Sequence, residues 1–235
     1  MIPIRDDAPR YTTPYVNYFL LALNVLVFLF EVTLPPETRQ QFMFQFGMMP
    51  NHVTGLLRGV PAMNPAFAII PVFTSMFLHA SWMHLIFNMW ALYIFGDNIE
   101  DYIGHFRYLL FYLLSGVGAA FLHILMNPHS DVPSVGASGA IAGVMGAYFI
   151  LYPSARVLTL VPFFFVFFVW LPAWVVLGFW FVGQFLSGAA TAISYTSQTS
   201  GGGIAFWAHV GGFVAGIGMI KLFPSRPRRY RYFYR

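Results

Sequence analysis

Long apolar stretches constrain this sequence more than any other feature. Several run for the roughly 18–20 residues that a helix needs to cross a lipid bilayer. Only 9% of the 235 residues are charged, whereas a soluble domain carries about 25%. The sequence therefore predicts an all-α membrane protein built as a single helical domain. Cysteine is absent, so disulfides and thiolate metal sites play no part in the expected fold.

Apolar runs bounded by charged and turn-forming residues predict six transmembrane helices. Their approximate ranges are 15–34, 82–96, 106–126, 138–153, 171–192 and 204–223. Pro162 and Pro172 interrupt the long apolar stretch that leads into the fifth range, and proline breaks a helix interior. We therefore expect an interfacial piece followed by one span there, rather than two spans. The membrane domain covers residues 15–223, flanked by an N-terminal segment at 1–14 and a basic tail at 224–235.

The distribution of basic residues sets the expected orientation. With six spans and both termini in the cytoplasm, only Arg39 and Arg58 of the twelve Lys and Arg residues lie outside, as the positive-inside rule requires. A seventh span would move the Arg-rich tail outside. We expect a multi-pass protein of a bacterial plasma membrane, with an organellar membrane as the alternative. The tail is expected to bind anionic headgroups rather than nucleic acid.

The segment between the first two spans, residues 35–81, is too long for a simple connector and is still apolar. It contains the stretches FMFQFGMMP and AFAIIPVFTSMFLH, which are rich in Phe and Met. We interpret it as a large first outer loop that is partly helical and lies in the membrane interface. A long loop with structure of its own is often functional, and its composition suits substrate contact and packing equally.

Polar side chains inside membrane spans are functional candidates because they are costly to bury in lipid. His84, Ser138 and His209 stand in three different predicted spans. Counted at ~1.5 Å per residue, they lie about 20, 22 and 18 Å from the inner ends of their spans. In a hydrocarbon core ~30 Å thick, all three lie roughly 10 Å below the outer face. The six-span topology therefore brings them to one plane.

Glycine spacing predicts that two of these spans touch. Small residues follow both polar groups at helical spacing: Gly139 and Gly143 after Ser138, and Gly212 and Gly216 after His209. Such spacing lets helix backbones approach closely, so Ser138 and His209 can meet. His84 and Asn88 are four residues apart on one helix face and can point into the same pocket. Ser81 is a candidate N-cap for that helix.

A hydroxyl beside an imidazole suits acyl transfer. Serine needs an adjacent base to become a nucleophile, and the oxyanion that forms needs fixed donors. Amide N–H groups at the start of the Ser138 helix, Asn88 and His84 can supply them. Because the acidic residues of the chain lie elsewhere, a Ser–His dyad fits better than a triad. Each residue alone also has a structural interpretation: Ser138 as a packing serine, His209 as a structural histidine, and His84 with Asn88 as a polar clamp or half of a metal site with His79.

Three motifs together resemble the rhomboid family of intramembrane serine proteases. They are HASWMHLIFN at 79–88, GASG at 136–139 and AHVGGFVAG at 208–216, in the order and on the spans typical of that family. The similarity covers about residues 70 to 220. G-x-S-G alone would be a weak signal, but its combination with the two histidine motifs is strong.

The resemblance implies a role for each motif residue. Ser138 would be the nucleophile and His209 the general base, and His84, Asn88 and the Ser138 amide would form the oxyanion hole. His79, Gly136 and Gly139 would support the site, with Gly136 in a loop that pairs with an extended substrate. By looser analogy, Phe87 and the aromatic face around Trp180 would line a lateral route from lipid. No metal or organic cofactor is implied.

Two departures from the family pattern are visible. Many relatives carry an aromatic residue four positions after the serine, stacked on the catalytic histidine, whereas this chain has Ala142. Something else must then orient His209. Relatives often also carry a Trp-Arg pair in the first outer loop, and AIIPVFTSMF lacks it. Neither departure removes a reacting group.

The expected function is that of an endopeptidase that cleaves transmembrane protein substrates near the outer membrane face through an acyl-enzyme. The substrate helix must unwind, because backbone hydrogen bonds in lipid are otherwise kept internal. The chief alternative is a non-catalytic rhomboid-like binder of membrane clients. A transporter or metal carrier that uses the histidines is a third. The expected partners are transmembrane substrates and the lipid bilayer, and the sequence leaves the oligomeric state open.

Overall fold

The computed structural model describes residues 1–61, 64–163, 165–193 and 205–226. Its helices are α1 (Tyr15–Thr33), α2 (Pro36–Phe46), α3 (Pro50–Leu57), α4 (Pro65–Thr74), α5 (Trp82–Ile103), α6 (His105–Met126), α7 (Ser138–Leu151), α8 (Ala173–Ile193) and α9 (Phe206–Met219). Short 3-10 turns cover Ser75–Phe77 and Ile220–Leu222. The strands are β1 (Ile2–Asp6), β2 (Arg156–Phe163) and β3 (Phe165–Pro172). Most of the predicted tail at 224–235, from residue 227 onward, and the predicted start of the last span at 204 lie outside the described residues.

The helices confirm a mostly helical membrane protein. Within the described residues, α1, α6 and α8 are each long and apolar enough to cross a bilayer. The segment from α4 to Phe77 passes the same test only together with α5, and the two meet at a bend of 77°. The apolar helices α7 and α9 are shorter. By length and composition the described residues therefore contain three or four candidate spans, and the count of six remains a prediction.

A three-stranded antiparallel sheet corrects the all-α prediction. β2 pairs with β1 on one side and β3 on the other, with Ile2 opposite Leu160 and Arg156 opposite Pro172. Residues 156–172 are rich in valine and phenylalanine, which favour strands, and their prolines are incompatible with a helix interior. The interfacial piece expected before the fifth span is thus a β-hairpin. The N-terminal segment 1–14, expected only as a flank, supplies the third strand.

Helix α7 lies at the centre of the bundle. Its residues from Gly139 to Tyr148 are all buried. A Cβ atom on Gly212 would collide with the carbonyl oxygen of Gly139, and one on Gly216 would collide with that of Gly143. The backbones of α7 and α9 therefore touch, and the close approach predicted from the glycine spacing is confirmed.

Buried polar contacts fix the start of α1 against α5 and α6. The carboxylate of Glu100 is buried and accepts the backbone N–H groups of Val16 and Asn17 at 3.0 and 2.6 Å. The Asn17 side chain donates to the Leu92 carbonyl and accepts from the Tyr108 hydroxyl at 2.8 Å. A carboxylate stabilises a helix N-terminus by pairing with its free N–H groups. These bonds hold α1 beside the helix that carries His84 and Asn88.

The segment predicted as a partly helical first outer loop contains α2, α3 and α4. Gly47 and Met48 connect it to the loop before α7, because Met48 and Ser134 exchange backbone hydrogen bonds at 3.0 and 2.8 Å. This segment therefore borders the polar residues of the bundle. Its position in the membrane interface remains a prediction.

Candidate active site

Ser138 is the first residue of α7, and the loop before it has a fixed shape. Gly136 has φ 129°, a backbone conformation that side chains other than glycine rarely adopt. Its N–H donates to the Ser75 carbonyl at 2.8 Å. A Cβ at Gly136 would lie 2.6 Å from His84 Cε1 and 3.6 Å from Ser138 Oγ. A glycine is therefore required here, both for the backbone turn and for the space between His84 and Ser138.

Ser138 and His209 are in hydrogen-bond contact. The Ser138 Oγ atom lies 2.7 Å from Nε2 of His209, which stands one turn into α9. Gly139, next to Ser138, faces Ala119 and Ala208, and a Cβ there would lie 2.6 Å from Ala119 Cβ. The contact predicted between the two helices is present, and the small residues around it allow it.

The second nitrogen of His209 is also occupied. Its Nδ1 atom lies 2.6 Å from Oε1 of Gln184 on α8. An amide oxygen only accepts hydrogen bonds, so Nδ1 carries the proton and Nε2 is free to accept the Ser138 hydroxyl. The Trp180 ring, one turn earlier on α8, lies 5.7 Å from the His209 ring, tilted by 37°. Two residues of α8 thus contact the His209 ring, whereas position 142 carries only a methyl group.

Sequence reasoning missed Gln184 and the contact of Trp180 with His209. Trp180 was expected along a lateral route from lipid; its ring lies beside His209, and the lateral route remains a prediction. A signal for both was present: Trp180 and Gln184 are four residues apart and share one face of an apolar helix. Gln184 is also a polar residue in a predicted span, which marks a functional candidate.

His84 and Asn88 lie about one helical turn apart on α5. Ser81 Oγ accepts the backbone N–H of His84 at 3.2 Å, so the predicted N-cap is confirmed. The His84 ring borders Gly136 and Ser138. The Asn88 side chain is buried, and within the described part of the chain its Nδ2 group has no hydrogen-bond partner. An unused buried donor of this kind is available to a ligand.

His79 stands behind His84. It is fully buried, its backbone N–H donates to the Glu31 carboxylate at 3.4 Å, and its ring lies 5.2 Å from that of His84. The Arg39 guanidinium donates to the carbonyl oxygens of His79 and Ala80 at 3.3 Å. His79 thus lies beside His84, and its supporting role remains a prediction. Among the described residues, no group of three His, Asp or Glu side chains could hold a metal ion.

A small cavity of about 40 Å³ opens beside Ser138. Small residues form much of its wall, including Gly116, Ala119 and Ala120 on α6. The loop residues Ser134 to Gly136 form another side. A space of this size next to the Ser138 hydroxyl accommodates a small side chain or water.

Known proteins are similar in sequence to this chain. The Rhomboid domain family model matches residues 66–226. The chain is 48% identical over 71 residues to Rhomboid-like protein 11, chloroplastic, of Arabidopsis thaliana, covering 30% of this chain and 25% of that protein. It is 31% identical over 134 residues to Rhomboid protease GluP of Bacillus subtilis, covering 57% and 24%. It is 34% identical over 130 residues to Putative rhomboid protease YdcA of the same organism, covering 55% of this chain and 59% of that protein.

The matched regions thus span about a quarter of the first two relatives and less than two thirds of the third. The family match is broader with respect to this chain, because it covers well over half of the sequence. It includes α5, α7 and α9 and all three motifs that surround Ser138. The chain belongs to the rhomboid family.

Proposed function

We propose that the protein is an intramembrane serine endopeptidase. Ser138 is the nucleophile and His209 the general base of a catalytic dyad. The single observation that carries this proposal is the 2.7 Å contact between Ser138 Oγ and His209 Nε2. Two relatives named rhomboid proteases support it.

The proposed reaction begins when Ser138 Oγ attacks the carbonyl carbon of the scissile peptide bond. His209 Nε2 accepts the hydroxyl proton as the carbon–oxygen bond forms. The same proton then passes to the leaving amine as the peptide bond breaks, which leaves an ester on Ser138. Water, deprotonated by His209, attacks the ester, releases the acid product and restores the hydroxyl.

The negative oxygen of each tetrahedral intermediate needs preorganised donors. We assign this role to the Ser138 backbone N–H, the Asn88 side chain and His84. The first N–H groups of α7 have no intrahelical acceptor, and Asn88 Nδ2 is buried with no other partner in the described structure. His79 and Gly139 act as supports, His79 behind the His84 ring and Gly139 at the contact with α6 and α9.

Gln184 is proposed as the positioning residue for His209. By accepting the Nδ1 proton at 2.6 Å, it selects the tautomer that leaves Nε2 unprotonated. The Trp180 ring beside the imidazole limits its rotation. Gln184 thereby orients the general base of the dyad without taking part in the proton transfer itself.

The proposed substrates are transmembrane proteins cleaved near the outer membrane face. The small cavity beside Ser138 favours a small residue before the cut, and Gly136 lies in the loop available to pair with an extended substrate strand. The substrate helix must unwind locally to present its carbonyl. Both termini are proposed to lie on the cytoplasmic side of a bacterial plasma membrane.

Cleavage of a fluorogenic transmembrane substrate by the purified, reconstituted protein tests the proposal. We expect cleavage by the wild-type protein and none above background by Ser138→Ala or His209→Ala. Ser187→Ala on α8 serves as a matched serine control and is expected to retain activity. Substrate binding without cleavage by the wild-type protein would favour the non-catalytic binder instead.

A further inference from the structure

The β-hairpin formed by β2 and β3 exposes apolar side chains on both of its faces. Five consecutive residues of β3, from Val166 to Trp170, are between 40% and 62% exposed. Neighbouring residues of a strand point to opposite faces of the sheet. A sheet with one face on a core and one in water would alternate apolar and polar residues. Neither face of this strand is polar, so an aqueous surface does not explain its sequence.

The exposed part of the hairpin projects beyond the rest of the sheet. β1 pairs with β2 from Leu160 back to Val157, and among the described residues no third strand pairs with the hairpin beyond Leu160. From Val157 to Pro172 the sequence holds no charged residue. At ~3.3 Å per residue, the uncovered part from Val161 to the turn is roughly 10 Å long.

The hairpin also begins and ends at the membrane helices. Four residues, 152–155, separate its start from the end of α7 at Leu151, and Pro172 leads directly into α8. The Ala173 N–H donates to the Ala155 carbonyl at 2.8 Å, which closes the base. Because α7 starts at Ser138, its 14 residues place this base about 20 Å along the helix from the active site. The hairpin therefore lies at the opposite end of the bundle from Ser138.

Two cations stand at the base of the exposed patch. The guanidinium groups of Arg5 and Arg156 lie 5.5 and 6.0 Å from the centre of the Trp170 ring. The Arg156 backbone N–H and guanidinium both donate to Asp7, which lowers the pKa of that carboxyl and fixes Arg156 in place. Tryptophan and arginine at the edge of an apolar surface are typical of a membrane interface, where the ring lies at headgroup level and the cation meets phosphate.

We propose that the tip of this hairpin, defined by residues 161–162 of β2 and 166–169 of β3, inserts into the lipid leaflet at the end of the bundle opposite Ser138. Its apolar side chains enter the boundary between headgroups and acyl chains, while Trp170, Arg5 and Arg156 remain at the headgroups. Within the described residues β3 is an edge strand of the sheet, and open sheet edges are costly in hydrocarbon. The insertion is therefore shallow and does not form a further span. The inserted tip anchors β1 and the N-terminus to the membrane surface.

Site-directed labelling tests the insertion without background, because the chain has no cysteine. Phe168→Cys, at the most exposed position of β3, carries a bimane fluorophore in the full-length protein reconstituted into phosphatidylcholine–phosphatidylglycerol vesicles. Phe179→Cys, exposed on the apolar helix α8, is the lipid-facing control. Glu37→Cys, exposed in the polar start of α2, is the aqueous control.

For Phe168→Cys we expect blue-shifted emission, quenching by lipids with a nitroxide high on the acyl chain, and little quenching by aqueous iodide. Quenching should decrease when the nitroxide moves toward the bilayer centre. Iodide quenching equal to that of Glu37→Cys would overturn the proposal. Protection from both quenchers would also overturn it, and would indicate that a second copy of the chain covers the hairpin. The outcome is independent of whether the protein cleaves peptides.

Discussion

Gln184 Oε1 lies 2.6 Å from Nδ1 of His209, on the side of the imidazole ring opposite Ser138. This contact connects α8 to the Ser138–His209 pair. We expect Gln184→Leu to lower kcat by about tenfold or more, equivalent to at least ~1.4 kcal/mol of transition-state stabilisation. KM should change little, because Gln184 does not contact the proposed substrate.

The measurement for Gln184 is steady-state cleavage together with the NMR signal of the His209 Nδ1 proton. Gln184→Leu should weaken or remove that signal, and Gln184→Glu, which restores an acceptor, should recover part of the activity. Val182→Ala, exposed on the same helix, controls for disturbance of α8. Equal kcat values for Gln184→Leu and the wild-type protein would contradict the positioning role.

Asn88 is expected to act on the transition state rather than on substrate binding. Removal of one oxyanion donor reduces kcat by about 10²–10³-fold in well-studied serine proteases. We therefore expect Asn88→Ala to lose activity on this scale while KM and the thermal midpoint stay close to those of the wild-type protein. Asn51→Ala, in the outer segment, is the control. A large change in KM with unaltered kcat would exclude the oxyanion role.

The contact between α7 and α9 predicts opposite results for two glycines of the same helix. A Cβ on Gly212 would collide with the Gly139 carbonyl oxygen, whereas one on Gly218 would meet no heavy atom of the other described elements within 4 Å. Gly212→Ala should therefore separate the helices, lower the thermal midpoint and abolish cleavage. Gly218→Ala should be neutral or stabilising by up to ~1 kcal/mol, because alanine favours helix. Thermal unfolding in detergent and cleavage are measured for both, and similar midpoints for the two variants would refute the close contact.

The buried carboxylate of Glu100 is expected to stabilise the bundle. It accepts two backbone N–H groups at the start of α1, and a buried donor left unpaired costs about 1–3 kcal/mol. Glu100→Ala should lower the free energy of unfolding by that order. Glu37→Ala, on the exposed surface of α2, should have little effect. The comparison is made by reversible unfolding in mixed micelles. A free energy of unfolding for Glu100→Ala equal to that of the wild-type protein would disprove the stabilising role.

The proximity of the motif residues could be predicted from the sequence because membrane-spanning helices have regular geometry. Depth along a helix follows from residue count, and glycine spacing identifies the faces that touch, so the contact of Ser138 with His209 was predictable. The N-cap at Ser81 followed from local rules. The space between Gly136 and His84 depends on an unusual backbone angle that residue counting does not give.

The elements that were missed depend on contacts between distant parts of the chain. The strand β1 forms only because Ile2 to Asp6 pair with residues more than 150 positions away, so local propensity gave no reason to expect it. The hairpin could not be distinguished from a short buried helix by apolar composition alone. To predict that Gln184 contacts His209, one would need to know how α8 is rotated about its axis, and this depends on its packing against α9.

Reaction of the wild-type protein with a fluorophosphonate probe tests the central claim most directly, because the probe labels only a serine activated as a nucleophile. The account predicts covalent labelling that peptide mapping assigns to Ser138, that disappears in Ser138→Ala and that is strongly reduced in His209→Ala. No labelling of a folded wild-type protein that is otherwise intact in the membrane, or labelling that persists at full rate in His209→Ala, would contradict it.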